Sequence, residues 1–395
     1  MVRIFYISRI NFLSTRAHAY TITKTCEAID MVKDVKLTLV STDGVLKNKI
    51  NRDKFFKKNI VEKKFDVISL NSFSNYFWSS KRIFLKRISV FFANISLMRL
   101  LFRKRKEIDV IYFRDYFILP AALFGKYILK KKLFYESHAT IKNKIGQKLV
   151  DLSVKSSDGV IAITNELRKI YLEINDNIIV AFCAASEVGK YDHNKDVKKL
   201  REKLKIPVDK KIIGYIGNMG LTGNYEQYRV DIIMEALIYL SNEYFFVGVG
   251  DKNNDSRNLI KKAKALNISD RVLIFPWQSR NAMPDYLLSF DVLVIPYSGA
   301  DPGDSPTKMF EYLSTKRPII ALETKPVSEV LHDNENAILI QEDDPRVWAR
   351  AIEKVMTNTK LREKIVSNAF EDAGKYDWRE RGIIISNFIK QLINK

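Results

Sequence analysis

The residues best suited to chemistry lie in the octapeptide SPTKMFEY, residues 305–312, which has a lysine three positions before a glutamate. On a helix this spacing places the two side chains about one turn apart. Lys308 would bring a full positive charge close to the start of that helix. Backbone N–H groups and the helix dipole favour a phosphate there. Glu311, one turn further along, would accept hydrogen bonds from a sugar hydroxyl.

The sequence around the octapeptide predicts the elements that position these side chains. The apolar run at residues 290–297 is typical of a buried strand, and glycines and prolines then predict an irregular loop. Ser305 and Pro306 have the pattern of an N-cap followed by proline in the first helical turn. Residues 318–322 form the next predicted strand. The alternative is a plain βαβ crossover, in which Ser-Pro only caps a helix and the glutamate is solvated.

The order of motifs in this region resembles a known donor site. Pro-Tyr at 296–297, the octapeptide and Pro-Ile-Ile-Ala at 318–321 are similar to the signature of retaining GT-B glycosyltransferases of the family-4 type. The resemblance implies that Glu311 binds the ribose of a nucleotide-sugar and that Lys308 acts with it in catalysis. It also implies that the diphosphate is held around the helix start, by Ser305, Pro306, Thr307 and Lys308.

Glycines after two further predicted strands extend the donor site. The strand at residues 211–217 leads into Asn-Met-Gly-Leu-Thr-Gly, and the strand at residues 244–250 also ends in glycine. Glycine lets the backbone approach a ligand closely. We therefore expect donor contacts from Gly217, Asn218, Gly220, Thr222, Gly223 and Gly250. The same family order can be followed from Gly214 to about Leu392.

The chain departs from the family pattern at two places. Family members often carry an arginine and a lysine in the glycine loop, where this chain has the uncharged Asn218 and Thr222. The diphosphate would then be clamped by Lys308, Arg229 or backbone N–H groups. The family also often has two glutamates eight positions apart. The first position falls on Gly303, so Gly303 and the adjacent Asp304 are the sugar-side candidates here.

The N-terminal half begins with a doubly wound pattern. A strand at residues 3–8, a helix at 19–31 and a strand at 35–40 form a βαβ opening, and no Gly-x-Gly-x-x-Gly is present. This argues against a dinucleotide redox enzyme. In the resembled family the first loop faces the interdomain cleft and touches the acceptor or the transferred sugar. Arg16 and His18 are therefore candidates, and a helix-capping or surface role is equally compatible with the sequence.

An acid and a histidine follow the short predicted strand at residues 131–135. Open α/β sheets bind ligands at the carboxyl ends of their strands, which is where Glu136 and His138 stand. In the resembled family this place often carries Glu-x-His, whose histidine contacts the donor sugar or phosphate. Glu136 is thus a sugar-side candidate and His138 a catalytic one. A hydrogen-bonded structural histidine is the alternative.

The composition indicates two domains and a strongly basic chain. Its 395 residues carry a net charge of +20, concentrated in the first third, and its two cysteines give neither a disulfide framework nor a metal site. We expect a reducing compartment. The N-terminus looks like a strand and not a signal peptide. The apolar run at residues 88–102 is too short for a membrane span and carries Asn94 and Arg99.

The basic charge calls for an anionic partner. No helix-turn-helix, zinc-finger or RNP-type motif is present, so we predict no nucleic-acid partner. Residues 81–106 predict a long helix rich in large apolar groups with basic ends. It packs on the sheet or docks on an anionic bilayer, and one helix can do both. The upstream aromatics Phe73, Tyr76, Phe77 and Trp78 would add interfacial contacts.

We therefore predict an α/β protein of GT-B architecture, with two Rossmann-like doubly wound domains facing a cleft. The N-terminal acceptor domain covers residues 1–190, the nucleotide-sugar donor domain 191–375, and a helix in 376–395 crosses back onto the first domain. Its packing face would contain Trp378, Ile384, Phe388 and Leu392.

The predicted reaction is metal-independent glycosyl transfer to a glycan or lipid-linked acceptor, at the cytoplasmic face of the cell membrane. No cofactor is expected besides the nucleotide-sugar co-substrate. Three alternatives stay open. They are a sugar-nucleotide epimerase of the same fold, a nucleotide-sugar-binding protein without catalysis, and a basic nucleic-acid-binding protein.

Overall fold

The structure is a computed structural model, and it divides the chain into two compact units. It describes residues 1–9, 12–13, 17–42, 44–70, 83–184, 191–220, 227–251, 256–299 and 301–394. Unit 1 contains Met1–Cys183, Asp301–Gly303 and Trp378–Lys395, and unit 2 contains Ala184–Ala300 and Asp304–Asp377.

Unit 1 is built around a parallel sheet of seven strands. They are β1 (Val2–Ser8), β2 (Val35–Ser41), β3 (Asp66–Ser69), β4 (Val110–Phe113), β5 (Lys132–Ser137), β6 (Gly159–Ala162) and β7 (Ile178–Val180). The connecting helices are α1 (Ala17–Asp30), α2 (Lys49–Lys58), α3 (Ile83–Arg103), α4 (Leu119–Tyr127), α5 (Lys144–Ser156) and α6 (Asn165–Tyr171), with a 3-10 turn at Tyr116–Ile118.

The strand order in unit 1 is β3-β2-β1-β4-β5-β6-β7. The chain reverses its direction of winding between β1 and β4, which pair in parallel from Ile4–Val110 to Ile7–Phe113. Such a switch point opens a crevice at the carboxyl ends of the strands. The residues that follow β1, β4 and β5 are therefore brought to one edge of this sheet.

Unit 2 repeats the plan with six parallel strands. They are β8 (Lys211–Ile216), β9 (Tyr244–Asp251), β10 (Val272–Pro276), β11 (Val292–Ile295), β12 (Ile319–Leu322) and β13 (Ile338–Ile340). Its helices are α7 (Val197–Leu204), α8 (Val230–Leu237), α9 (Arg257–Ala265), α10 (Met283–Ser289), α11 (Thr307–Leu313), α12 (Lys325–Ser328), α13 (Pro345–Thr357) and α14 (Thr359–Ala373), with 3-10 turns at Ser269–Arg271 and Gly374–Tyr376.

The order β10-β9-β8-β11-β12-β13 places the switch point of unit 2 between β8 and β11. All residues of the central strands β11 and β12 are buried. Helices cover both faces of such a sheet, and its strands therefore appear in the sequence as continuous apolar runs. The prediction of two Rossmann-like doubly wound sheets is confirmed.

The last helix, α15 (Trp378–Ile393), belongs to unit 1 and packs against α1. A Cβ on Gly382 would lie 2.5 Å from backbone atoms of Ala28, so glycine permits this close helix contact. Trp378 packs edge-on against Tyr20, with ring centroids 5.9 Å apart. Trp378 therefore anchors the first turn of α15 on α1.

One residue of the predicted packing face of α15 was wrong. Ile384 is exposed, whereas its neighbour Ile385 is completely buried, and Trp378, Phe388 and Leu392 are also buried. The buried positions 378, 381, 382, 385, 386, 388, 389 and 392 form one stripe with a spacing of three and four. Residue 384 falls outside that stripe, because a helix turns about 100° per residue.

Candidate functional site

The octapeptide forms the short helix α11 of unit 2, which is held in place by its apolar side. Met309, Phe310, Tyr312 and Leu313 are all completely buried. The Tyr312 hydroxyl also accepts a hydrogen bond of 3.0 Å from the backbone N–H of Ile216, the last residue of β8. These contacts fix α11 beside the end of β8. The partly buried Lys308 and Glu311 lie on its remaining side.

The prediction that Ser305 caps this helix was wrong. The residue at the N-cap is Pro306, in an extended conformation with φ −63° and ψ 110°, and no side chain caps the helix. Thr307 is the first helical residue. The Ser305 hydroxyl lies one residue before the cap and is buried without a hydrogen-bond partner among the described residues.

The Lys308 amine lies against aromatic rings. Its Nζ is 3.8 Å from the ring centroid of Tyr215 on β8 and 5.3 Å from that of Tyr228. Burial lowers the pKa of Lys308 to about 7, and Glu311 opposes only part of this shift. Near neutral pH the amine is therefore poised between its charged and neutral forms.

Two glycines make room for this arrangement. Gly217 has φ +127°, and a Cβ there would lie 2.9 Å from Lys308 Nζ. Gly250 has φ +130°, and its Cβ would lie 2.5 Å from the carbonyl oxygen of Gly217. Larger residues are strained in this backbone region. The ends of β8 and β9 therefore approach each other and Lys308 only because both positions are glycine.

The rest of the predicted glycine loop is described in part. The Asn218 carbonyl accepts a 2.6 Å hydrogen bond from the Tyr215 hydroxyl, and Gly220 is buried. Thr222 and Gly223 lie outside the described residues. Asn218 thus contributes through its backbone to the position of the Tyr215 ring, on which Lys308 rests.

Glu311 forms an ion pair that the sequence did not indicate. Its Oε1 is 3.4 Å from Nη1 of Arg280, which follows β10. The sequence feature that could have indicated Arg280 is a basic residue shortly after a strand end, where ligand-binding loops lie. The proposed substitute clamp Arg229 is committed elsewhere, since it pairs with Asp343 and lies 3.6 Å from Asp231.

Gly303 and Asp304 occupy different surroundings. Asp304 belongs to unit 2 and interacts with the Tyr297 hydroxyl, whose pKa it raises in addition to the larger effect of burial. Gly303 belongs to unit 1, where a Cβ would lie 2.2 Å from the carbonyl oxygen of His138. Asp301 accepts hydrogen bonds from the N–H groups of Gly303, at 2.8 Å, and Thr140, at 3.2 Å.

The structure brings Glu136 and His138 together at the end of β5. Glu136 is only 1% exposed, and its Oε1 hydrogen-bonds His138 Nε2. Its Oε2 accepts a hydrogen bond from the Tyr112 hydroxyl of β4. Arg381 of α15 completes the carboxylate shell, with Nη2 3.0 Å from Oε1. Tyr112 and Arg381 are site residues that the sequence analysis missed.

The electrostatics of this cluster keep the acid charged and the histidine neutral. Burial alone would raise the pKa of Glu136, but Arg381, His138 and Arg114 outweigh it and hold that pKa well below its usual range. Burial, followed by the charge of Arg114, lowers the pKa of His138 to about 4. Near pH 7, Glu136 is therefore a carboxylate that accepts a hydrogen bond from a neutral imidazole.

Other polar groups lie at the same edge of the sheet. The buried atoms Ser8 Oγ, Arg114 Nη1 and Ser137 Oγ have no hydrogen-bond partner among the described residues. They belong to the last residue of β1, the residue after β4 and the last residue of β5. Unpaired buried polar groups are costly, so this edge is suited to a polar ligand. His18 lies in α1 with an exposed side chain, and Arg16 is outside the described residues.

Two further features bear on where a ligand or metal could bind in the described residues. They contain no group of three or more His, Cys, Asp or Glu side chains that could hold a metal ion. The need for a metal is not decided by this, and metal independence stays a prediction. A pocket of about 690 Å³ in unit 1 is lined by Arg3, Lys36, Arg52 and Phe56, among others, and includes none of the predicted site residues.

Comparison with known proteins finds a family model that matches most of unit 2. Residues 196–372 match the model described as Glycosyl transferases group 1. A D-inositol 3-phosphate glycosyltransferase of Xylanimonas cellulosilytica is 25% identical over 184 residues, 46% of this chain and 42% of the relative. The lipopolysaccharide core biosynthesis glycosyltransferase LpsE of Rhizobium meliloti is 26% identical over 171 residues, 43% of this chain and 47% of the relative. The chain spans about half the length of these curated relatives.

The likeness in fold extends over nearly the whole chain. The crystal structure of Anabaena Alr3699/HepE in complex with UDP and glucose superimposes with a TM-score of 0.75 at 14% identity, covering 99% of this chain and 100% of that one. At this identity the comparison supports a shared fold and nothing more. The chain therefore has the predicted GT-B fold, and its residues 196–372 are similar to the glycosyl transferases group 1 family.

Proposed function

We propose that the protein is a glycosyltransferase that moves a sugar from a nucleotide-sugar to an acceptor hydroxyl. The bond between the anomeric carbon and the diphosphate oxygen breaks, a bond to the acceptor oxygen forms, and the proton of the acceptor hydroxyl passes to the departing diphosphate. The observation that carries the proposal is the Lys308 amine, held over Tyr215 beside Gly217 and one turn from Glu311. Retention at the anomeric carbon is part of the proposal through the family resemblance.

Unit 2 provides the groups that a departing diphosphate requires. Negative charge grows on the leaving oxygen in the transition state, and a preorganised cation stabilises it there. Lys308 is the cation suited to this role, with the backbone N–H of Gly220 and the Ser305 hydroxyl as further donors. Glu311 would accept hydrogen bonds from the ribose. The donor role of residues 191–375 is part of this proposal.

Unit 1 provides the sugar side, within the proposed acceptor domain of residues 1–190. The neutral His138 donates from Nε2 to the Glu136 carboxylate, which leaves Nδ1 to accept a hydrogen bond from a sugar hydroxyl. Gly303 packs directly against the backbone of His138, so a side chain at position 303 would not fit. The exposed His18 and the undescribed Arg16 are further candidates for contact with the acceptor.

Ligand binding and product analysis test this function. A thermal-shift panel of UDP, GDP, ADP and their sugars identifies the donor, and UDP comes first because the Anabaena neighbour was solved with it. A ligand at a hundred times its dissociation constant adds about 2.7 kcal/mol of stability. We expect a new glycoside when an acceptor extract is added. If the product is an epimerised sugar-nucleotide, the protein is an epimerase of the same fold. If a nucleotide-sugar binds without turnover, the protein is a nucleotide-sugar-binding protein without catalysis.

The acceptor is proposed to be a lipid-linked or cell-surface glycan precursor at the inner face of the cell membrane. The name of the LpsE relative refers to lipopolysaccharide core biosynthesis, which supports an acceptor of the cell envelope. Among the described residues, no helix is both long enough and apolar enough to cross a bilayer.

Helix α3 carries the surface that we propose for contact with the membrane. Its buried stripe contains Ala93, Leu97 and Leu101, whereas Phe91 is 62% and Phe102 52% exposed. The basic residues Arg103, Lys104 and Arg105 follow at its end, and the Arg105 guanidinium lies over the Phe102 ring. Exposed aromatic rings beside basic groups suit an anionic bilayer. Lys81 and Arg82, and the side chains of Lys86 and Arg87, lie outside the described residues, as do Phe73, Tyr76, Phe77 and Trp78.

Vesicle co-sedimentation tests this surface. We expect binding to anionic but not to neutral vesicles, since each basic residue near such a surface contributes about 1 kcal/mol. Binding should weaken as salt shortens the Debye length from about 10 Å at 0.1 M to about 3 Å at 1 M. Phe102→Ser should reduce it, whereas Tyr239→Ser, which removes an exposed ring from unit 2, should not. Equal binding to both vesicles, or none, would leave α3 as a helix with ordinary solvated ends.

A further inference from the structure

The helix α15 reaches the candidate site of unit 1 through one buried arginine. Arg381 is 3% exposed, and its guanidinium is shared between several acceptors. Nη1 donates to the carbonyl groups of Ala181 and Phe182, which follow β7, with 2.6 Å to Phe182. Nε lies 3.4 Å from the hydroxyl of Thr25 on α1. The planar fork is therefore fixed from two sides.

The remaining nitrogen of this fork faces the candidate site. Nη2 donates to Glu136 Oε1 over 3.0 Å, and the same oxygen is bonded to His138 Nε2. The two side chains of the ion pair are 2% and 1% exposed, so water does not compete for the carboxylate. Arg381 therefore acts on His138 through Glu136, and no contact with the substrate is assigned to Arg381 itself.

The other charged and titratable groups around Glu136 come from four places. They are Tyr6 of β1, Cys26 of α1, Tyr112 and Arg114 of β4 and its end, and Cys183 after β7. Burial raises the pKa values of the tyrosines and cysteines, so they remain neutral. The carboxylate is consequently balanced by Arg381 and Arg114, and not by a charged histidine.

This arrangement decides how the imidazole is used. An ionised carboxylate can only accept, so His138 must donate from Nε2 and keep its lone pair on Nδ1. We propose that Arg381 is a positioning residue, which holds Glu136 from the C-terminal helix and so fixes His138 with Nδ1 as the acceptor toward the sugar. The proposal rests on the proposed function, in which His138 contacts the transferred sugar or the acceptor.

The first test reads the histidine directly and needs no activity. The chain has four histidines, so ¹⁵N-edited NMR can follow each ring through a titration. In the wild-type protein His138 should stay in the Nε2–H form from about pH 5.5 upward. In Arg381→Met the Glu136 carboxylate loses its closest cation and keeps Tyr112 and Arg114, so the pKa of His138 rises and its titration should move toward neutral pH. Arg381→Lys keeps a cation and should restore most of the wild-type behaviour.

The second test uses the pH profile of glycosyl transfer. A protonated His138 cannot accept at Nδ1, so kcat of Arg381→Met should fall about 100-fold at pH 6, the order expected for a misplaced catalytic contact, and recover toward pH 9. In a His138→Ala background, Arg381→Met should then change kcat less than twofold, because no imidazole remains to be positioned. Trp378→Phe, one turn away on α15, controls for a loosened helix and should lower the melting temperature without moving the profile.

These tests separate the inference from the function on which it rests. Absence of transfer by the wild-type protein would remove the proposed function, while the NMR titration would still report on Arg381. If Arg381→Met and Arg381→Lys both keep a neutral His138 in the Nε2–H form and a wild-type pH profile, Arg381 only stabilises the fold and the inference is overturned. Should Arg381→Met fail to fold, Arg381→Gln, which keeps N–H donors without the charge, takes its place in both measurements, and an unchanged His138 titration in that variant overturns the inference.

Discussion

The two candidate sites differ in how their charges are balanced. In unit 1 the Glu136 carboxylate is surrounded by Tyr112, His138 and Arg381, and its pKa is held well below the usual range despite burial. In unit 2 the Lys308 amine rests on the rings of Tyr215 and Tyr228, and burial lowers its pKa to about 7. The first cluster is electrostatically complete in the ligand-free protein. In the second, burial disfavours the charged form of the lysine.

This difference indicates two kinds of preorganisation. A carboxylate that already has its partners orients a neighbouring group, here His138, and gains nothing from a new charge. A lysine with a lowered pKa gains most when an anion arrives, because the ligand restores the charged form. We therefore expect unit 1 to set geometry and unit 2 to respond to the ligand. The predictions below test this contrast, beginning with the largest effect.

Removal of the Lys308 amine should have the largest effect on turnover. Lys308→Ala should lower kcat by about 100- to 1,000-fold, the range seen when one preorganised group is removed from a developing anion. Steady-state kinetics with the donor identified by thermal shift measures it. Lys360→Ala removes an exposed lysine from α14 of the same unit and should leave kcat unchanged. Wild-type turnover in Lys308→Ala would mean that other groups hold the diphosphate, and the contrast between the units would disappear.

The second effect concerns affinity. Glu311→Ala should weaken nucleotide binding by about 1.5–3 kcal/mol, the value for a lost hydrogen bond to a charged acceptor. Glu311→Gln keeps a hydrogen-bond acceptor without the charge, so its affinity for the nucleotide should lie between those of the wild type and Glu311→Ala. Isothermal titration calorimetry measures both, with Glu363→Ala, at an exposed position of α14, as the control. If the folded Glu311→Ala protein binds nucleotide as the wild type does, Glu311 serves only to pair with Arg280.

The unit 2 site was the more predictable of the two, because its key spacing is local. Lys308 and Glu311 lie one turn apart in the sequence and therefore one turn apart on α11. The glycines at 217 and 250 were predictable from their place after apolar runs. Their contact with each other and with Lys308 was not, since it depends on the pairing of β8 with β9. The capping rule failed at Ser305 because the extended Pro306 occupies the cap itself.

The unit 1 site shows what the sequence could not provide. The Arg381–Glu136 contact joins residues 245 positions apart, and no periodicity connects a C-terminal helix with a strand end at that separation. Elements that the sequence analysis did not predict include α2 and β3. Helix α2 has only Phe55 and Phe56 buried among mostly charged residues, and β3 is a four-residue strand at the sheet edge. Neither gives the apolar periodicity on which such predictions depend.

The third effect is uptake of a proton on binding. In the free protein Lys308 is about half protonated at pH 7, and a bound diphosphate should raise its pKa. Binding of a nucleotide-sugar at pH 7 should therefore take up about half a proton. Titration calorimetry in two buffers of different ionisation enthalpy measures this number. Lys308→Ala should abolish it, whereas His138→Ala should not, because the pKa of His138 is about 4. Uptake that persists in Lys308→Ala would place the responding group elsewhere.

The smallest effect concerns the free energy of unfolding of the protein without ligand, which the same lysine should lower. Its pKa falls from 10.5 to about 7 in the folded protein, so the folded state binds its proton more weakly than the unfolded chain. The cost of holding the cation is complete below about pH 7 and disappears as pH rises through 10.5. Lys308→Met should therefore raise the free energy of unfolding by about 1–2 kcal/mol at pH 6 and by less at pH 9. Urea unfolding at both pH values measures the difference. A variant that is less stable at pH 6 would show that the contacts with Tyr215 and Tyr228 repay the desolvation, and that both units hold balanced charges before the ligand binds.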